Sequence, residues 1–155
     1  MDMNQYLSMF IDESKEHLQT MNDSMLALEQ TPDDISIVQT MFRSAHTLKG
    51  MSATMGFEDI ASLTHEMENV LDLVRNGQLA MNEHIVETMF RCLDLLESMV
   101  GDIVAGGTGS LDVQGTVAEL KAILGGPPAQ DKASAAAGGT GPAAGEDPGA
   151  GERET

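Results

Sequence analysis

The 155-residue sequence has one cysteine, no tryptophan and only 3% aromatic residues. A lone Cys92 can form no internal disulfide and cannot build a thiolate metal cluster, so a disulfide scaffold and a zinc ribbon are excluded. This cysteine usage fits a reducing compartment, and we expect a cytoplasmic protein. The scarce aromatics are accompanied by twelve methionines, a composition that suits helix packing better than a β-sheet. The composition therefore predicts an all-α protein.

Basic side chains are also scarce, with 8 Lys and Arg against 25 Asp and Glu and a formal net charge of -17. Such a charge repels phosphate backbones and anionic lipid surfaces. The amino terminus shows neither a basic nor an apolar leader region, and no apolar run is long enough to cross a bilayer. We therefore expect no nucleic-acid partner, no signal peptide and no membrane insertion.

The last part of the chain, residues 125 to 155, contains no Val, Ile, Leu or aromatic residue and consists mostly of Gly, Ala and Pro. Such a segment cannot bury enough apolar surface to offset its ordering entropy. We predict a disordered linker that leads to a further domain. Because residues 1 to 124 hold twenty acidic against six basic side chains, the acidity belongs to the predicted folded part.

Apolar residues recur every three or four positions in four long segments, which indicates four amphipathic helices. The predicted apolar seam of the first helix reads Leu7, Ile11, Ser14, Leu18, Met21, Met25 and Leu28. The predicted helices run from about 4 to 29, from a cap at Thr31-Pro32 to Gly56, from Phe57 to Asn76-Gly77, and from a cap at Asn82 to about Ile103.

Short connections between these helices let only sequential neighbours pack. The predicted fold is all-α, an antiparallel up-and-down four-helix bundle over residues 1 to 104. A short connection and a fifth helix follow at 105 to 124. A Walker loop and a GxGxxG motif are absent from the sequence, so we expect no nucleotide site in it.

Two neighbouring helices carry the residues best suited to chemistry. His46 lies off the centre of the apolar arc of its helix, beside Lys49 and Gly50. An antiparallel neighbour could bring next to it a flank of the following helix that carries His65, Glu68 and Asp72. A neutral imidazole is a competent nucleophile, a carboxylate can fix its tautomer, and an ammonium can offset the charge of an arriving phosphoryl group. These residue types suit phosphoryl transfer.

Other interpretations of the same residues stay open at this point. A single histidine at a bundle boundary, as His46 is, is more often a partly buried packing residue. His17 and His84 are interpreted as surface or boundary histidines. A di-metal bundle needs Glu-x-x-His twice, whereas this chain offers one pair in the opposite order, so a metal site is a minor alternative and none is predicted. A non-catalytic helical interaction module is the remaining alternative.

The sequence FRSAHTLKGMSATMGF at 42–57, followed by LTHEMEN at 63–69, resembles the histidine-containing phosphotransfer (HPt) family. Within that family it is most similar to the amino-terminal domains of chemotaxis histidine kinases of the CheA family. The resemblance covers roughly residues 4 to 104. Its core is specific, because His-x-x-Lys-Gly is accompanied by Gly-Phe and by His-x-x-Glu on the next helix.

The resemblance implies a function and a role for each site residue. His46 would accept the phosphoryl group, Lys49 would pair with it, and Gly50 would leave room for the partner. Glu68 would hydrogen-bond the imidazole, with His65 as its neighbour in that network. The chain alone would be a phosphoryl carrier, although the full-length protein it resembles is a histidine protein kinase.

The implied partners are a kinase domain of the same protein family, which binds ATP and Mg²⁺, and response regulators of the CheY and CheB type. No cofactor is expected in this chain itself. A free-standing phosphorelay protein is the closest alternative within the family. The predicted linker argues against it, since such a carrier has little use for thirty flexible residues.

Overall fold

The computed structural model describes residues 2 to 125, and within that range it contains five α-helices and no strand. The helices are α1 Met3–Gln30, α2 Ile35–Met55, α3 Glu58–Arg75, α4 Glu83–Val104 and α5 Gln114–Leu124. α1 packs against α2 and α4, and α3 packs against the same two helices, so the first four close into a ring. This confirms the predicted four-helix bundle with a short fifth helix. None of the described helices is long and apolar enough to cross a membrane.

The described residues up to Lys121 form one compact unit, and the end of α5 lies outside that unit. The predicted linker at 125 to 155 lies outside the described residues except for Gly125.

The start of α2 corrects the predicted cap at Thr31-Pro32. The Thr31 N–H bonds the carbonyl of Ala27, 2.9 Å away, so Thr31 ends α1 instead of beginning α2. The N-cap of α2 is Asp34, whose Oδ1 accepts the backbone N–H of Ser36 at 3.0 Å. A carboxylate at this position also faces the positive end of the helix dipole, which favours Asp34 over the hydroxyl of Thr31.

The ends of the next two helices agree with the sequence. Gly56 closes α2 in the left-handed conformation with φ 81°, which glycine adopts without strain. Gly77 follows α3 with φ 77°, and Asn82 caps α4 by accepting the Ile85 N–H at 2.9 Å. These short, tight connections fix the order in which the helices pack.

The core is built from methionine and branched aliphatic side chains, with Met21, Met25, Met41, Met67 and Met89 fully buried. The predicted seam of α1 is wrong at its start, because Phe10 is buried where Leu7 and Ile11 are only partly covered. Phe10 packs on Phe57, with ring centroids 4.9 Å apart, and an aromatic ring gains more from burial than either aliphatic neighbour.

The core also buries two serine hydroxyls and one thiol. Ser14 and Ser52 are fully buried, and their hydroxyls have no hydrogen-bond partner among the described residues. Cys92 is also fully buried on α4, and this burial raises the pKa of its thiol to about 12. The thiol is therefore neutral at physiological pH and is no nucleophile, as its place on the seam predicts.

The fifth helix is fastened by apolar and polar contacts. Val117 and Leu120 are buried, and Glu119 pairs with Arg91 of α4 across 2.7 Å. The connection before α5 is held where the Leu111 N–H donates to Asp59 Oδ2 at 3.0 Å.

Candidate functional site

His46 lies on α2 with its side chain 62% exposed, and its ring is held by one residue of the neighbouring helix. Nδ1 of His46 lies 2.6 Å from Oε2 of Glu68 on α3. The antiparallel packing of α2 on α3 thus brings Glu68 to His46, as the sequence predicts. The imidazole is tethered on its Nδ1 side, while most of the side chain stays open to solvent.

Lys49 shares the same carboxylate. It lies one turn after His46 on α2, and its Nζ is 2.6 Å from Oε1 of Glu68. Each carboxylate oxygen therefore serves one donor, and the Glu68 side chain is only 11% exposed. An ammonium has three N–H donors, so one bond to Glu68 leaves two for other acceptors.

The protonation state of Glu68 decides the chemistry of this cluster. Burial alone would raise the pKa of the carboxyl group, but the hydrogen bonds and positive charges of Lys49 and His46 outweigh it and hold the pKa below the ordinary value of 4.5. Glu68 is therefore ionised at neutral pH and can only accept hydrogen bonds. Because it has no proton to donate, the neutral His46 ring carries its proton on Nδ1 and leaves the lone pair on Nε2.

Gly50 follows Lys49 on the same helix and leaves the adjoining surface open. A Cβ at this position would find no described atom within 4 Å. The open surface continues into an apolar groove of about 430 Å³ between α1 and α2, whose lining includes Tyr6, Met9 and Met51. Tyr6 and Met9 are about half exposed, so this groove presents apolar surface to solvent immediately beside the His46 cluster.

His65, the remaining predicted site residue, stands apart from the cluster. It lies on α3 one turn before Glu68, but its ring is exposed and its Nε2 is 3.5 Å from the side-chain amide of Asn69. Within residues 2 to 125 it makes no hydrogen bond with His46, Lys49 or Glu68. Its predicted membership of the network stays a prediction that this geometry does not support.

Sequence reasoning missed an aromatic and cationic row beside His46. The Phe42 ring lies parallel to the imidazole within 7°, with centroids 6.2 Å apart. Arg75 of α3 lies over the Phe42 ring, 3.8 Å from its centroid, and its Nε donates to Asp72 at 2.8 Å. The spacing of Phe42 four residues before His46 on one helix is the signal that could have found the two rings, whereas the Arg75 contact depends on how α3 sits against α2.

The described part of the chain shows no geometry that matches the alternative of a metal-binding site. No three His, Cys, Asp or Glu side chains of residues 2 to 125 come together as ligands. His46 and Glu68 meet as a pair, and the third member of their cluster is the cation Lys49, which repels a metal ion.

Comparison with known proteins identifies the family of this chain. The Hpt domain model matches residues 5–106. The chain is 56% identical over 118 residues to the chemotaxis protein CheA of Listeria monocytogenes, which covers 76% of this chain and 19% of that protein. It is thus similar to a protein of which it spans about a fifth of the length.

Solved structures of related domains share the fold. The solution structure of the histidine phosphotransfer domain of CheA has a TM-score of 0.73 at 37% identity, covering 79% of this chain and 93% of that one. The phosphorylated P1 domain of CheA3 in complex with CheY6 from R. sphaeroides has a TM-score of 0.71 at 25% identity, covering 79% and 98%. Because the family model matches 5–106, well over half of the chain, the chain belongs to the Hpt domain family.

Proposed function

We propose that this chain is a phosphoryl carrier in chemotaxis signalling, with His46 as the residue that accepts and passes on the phosphoryl group. The observation that carries the proposal is the 2.6 Å contact between His46 Nδ1 and the ionised Glu68. This contact leaves Nε2 as the free nucleophilic nitrogen on a side chain that a partner can reach.

The transfer step balances with the groups present. The Nε2 lone pair forms a bond to the γ-phosphorus of ATP while the bond from that phosphorus to the bridging oxygen of ADP breaks. The proton stays on Nδ1, so the ring becomes cationic as the new bond forms. Glu68 offsets that positive charge at 2.6 Å, and this interaction strengthens as the transition state is approached.

Lys49 would act on the phosphoryl group with the donors that Glu68 leaves free. Its position one turn from His46 places an ammonium next to the imidazole, and its side chain is 28% exposed. A phosphoryl group on His46 would be a competing anion for the ammonium. We assign Lys49 to offsetting phosphoryl charge and Glu68 to orienting the ring.

Two kinds of partner are needed. Donation requires a kinase domain of the CheA type, and we assign the binding of ATP and Mg²⁺ to that domain. Transfer onwards requires a response-regulator aspartate, of the CheY or CheB type. The apolar groove beside Gly50 is our candidate docking surface for the regulator, because it adjoins His46 and a related domain at 25% identity is known in complex with CheY6.

The proposal is tested by incubating the chain with a CheA-type kinase domain and labelled ATP. We expect the chain to gain phosphate that is lost in acid and retained in base, which is typical of a phosphoramidate. The variant His46→Gln should gain none, whereas the matched control His65→Gln, an exposed histidine on the next helix, should gain phosphate. Phosphate on the His46→Gln chain would overturn the proposal, and no phosphate on the wild-type chain would favour a non-catalytic interaction module.

A further inference from the structure

A second set of contacts acts on the His46 ring besides the Glu68 hydrogen bond. Phe42 lies one turn before His46 on α2, and the two ring planes differ by 7° with centroids 6.2 Å apart. This separation lies within the range in which aromatic rings interact. Each side chain can rotate about its own bonds, so the parallel arrangement indicates that the two rings are held relative to each other.

The Phe42 ring is itself held by the neighbouring helix. The guanidinium of Arg75 lies 3.8 Å from the Phe42 centroid, well within the distance of a cation–π contact. Arg75 is fixed in turn by Asp72, whose Oδ1 accepts from Nε at 2.8 Å. The contacts therefore run from Asp72 through Arg75 and Phe42 to His46, and both α3 members lie within two turns of Glu68.

One hydrogen bond is not enough to orient an exposed ring. The bond at Nδ1 fixes the position of one atom, but it lets the ring rock about that atom, and a side chain that is 62% exposed has few packed neighbours to prevent this. A parallel ring one turn away limits that rocking. Since attack needs the Nε2 lone pair aligned with the phosphorus, the plane of the ring matters to the reaction.

We propose that Phe42, clamped by Arg75, is a positioning residue that sets the plane of the His46 imidazole. This inference rests on the proposed function of His46. Phe42 and Arg75 act through the ring and touch no phosphoryl group in this account. The Asp72 carboxylate balances the charge of Arg75, so the planar guanidinium acts by packing on the Phe42 ring and holding it in place.

The test compares Phe42→Leu, Arg75→Gln and the double variant in the kinase assay. The matched control is Arg91→Gln, which removes an exposed arginine that also pairs with a carboxylate, on α4. We expect kcat to fall about three- to tenfold in Phe42→Leu and by less in Arg75→Gln, with KM unchanged. Phe42→Tyr, which keeps the ring, should restore the rate.

The double variant distinguishes an effect of Arg75 that acts through Phe42 from an independent effect of Arg75 on the rate. If Arg75 acts through Phe42, Arg75→Gln should add nothing once Phe42 is leucine. Equal losses in Arg91→Gln, additive losses in the double variant, or wild-type kcat in Phe42→Leu would each overturn the inference. Unfolding in urea checks that every variant is folded under assay conditions.

NMR measurement of the contacts between the two rings tests the inference without relying on phosphate transfer. Nuclear Overhauser contacts between the ring protons of Phe42 and His46 should be present in the wild-type chain and weaken in Arg75→Gln. Unchanged contacts in that variant would overturn the inference even if His46 accepts phosphate. A wild-type chain that takes no phosphate on His46 would contradict the proposed function, while these contacts still decide whether Arg75 and Phe42 orient the ring.

Discussion

Replacing Glu68 by glutamine tests how the carboxylate activates His46. The carboxylate accepts from His46 Nδ1 and from Lys49 Nζ, each at 2.6 Å. A glutamine side chain has the same shape but only one carbonyl oxygen, and its other end is an NH₂ donor. One of the two partners must therefore lose its acceptor.

Both outcomes slow the reaction. If the amide oxygen faces His46, a charge-assisted bond becomes a neutral one of about half the strength. If the NH₂ faces His46, Nδ1 must accept, and the proton moves to Nε2, the nitrogen that should attack. A loss of about 1.4 kcal/mol in the transition state corresponds to a tenfold fall in rate, and we expect kcat to fall by about this factor or more.

The effect on stability should be small by comparison. Lys49 and His46 both reach solvent, so each can replace its lost bond with water. We expect the free energy of unfolding to fall by no more than about 1 kcal/mol. A large loss of rate with a small loss of stability is the signature of a residue that acts on the chemistry.

The assay measures kcat for phosphorylation by the kinase domain, together with ¹⁵N shifts that report the tautomer of His46. Glu66→Gln is the matched control, because it makes the same change two residues away on α3, where the carboxylate faces Asn69. A wild-type kcat in Glu68→Gln, or an equal loss in Glu66→Gln, would refute this reasoning.

Three further predictions follow from burial and charge. Ser52→Ala should raise the free energy of unfolding by about 0.5–1 kcal/mol in urea, because Ser52 buries an unpaired hydroxyl within a helix; a clear decrease would contradict this. Because the folded protein lowers the pKa of Glu68 below its ordinary value of 4.5, the ionised carboxylate contributes its full stabilisation above pH 4.5 and loses it as the pH falls further. The difference in unfolding free energy between wild type and Glu68→Gln should therefore shrink below pH 4.5, and a difference that grows there would contradict this prediction. Cys92 should react with a thiol reagent only as fast as the chain opens, and rapid labelling of the folded chain would contradict the burial of this thiol.

Local patterns predicted most of the helices, and the family resemblance predicted the hydrogen bond between Glu68 and His46. The three- and four-residue spacing and the short connections show only that the flanks of these two helices can meet, and they do not show which side chains of the flanks pair. The cap of α2 did not follow, because Thr31 and Asp34 are both good capping residues and only the end of α1 decides between them.

Contacts that depend on the axial shift between helices could not be predicted from the sequence. The sequence places Lys49 next to His46 but does not show that its ammonium binds Glu68 in preference to solvent. The stacking of Arg75 on Phe42 likewise needs the height of α3 relative to α2, which a shift of one residue, about 1.5 Å, would change. His65 shows the converse, since it has the right spacing on α3 and yet faces Asn69.

Locating the phosphoryl group on one ring nitrogen tests directly whether Glu68 orients His46 for attack. A long-range ¹H–¹⁵N spectrum of the phosphorylated chain distinguishes the two ring nitrogens in each of the four histidines. We predict phosphate on Nε2 of His46, with Nδ1 still hydrogen-bonded to Glu68. Phosphate on Nδ1 of His46, or on His17, His65 or His84, would show that Glu68 does not direct the attack through Nε2.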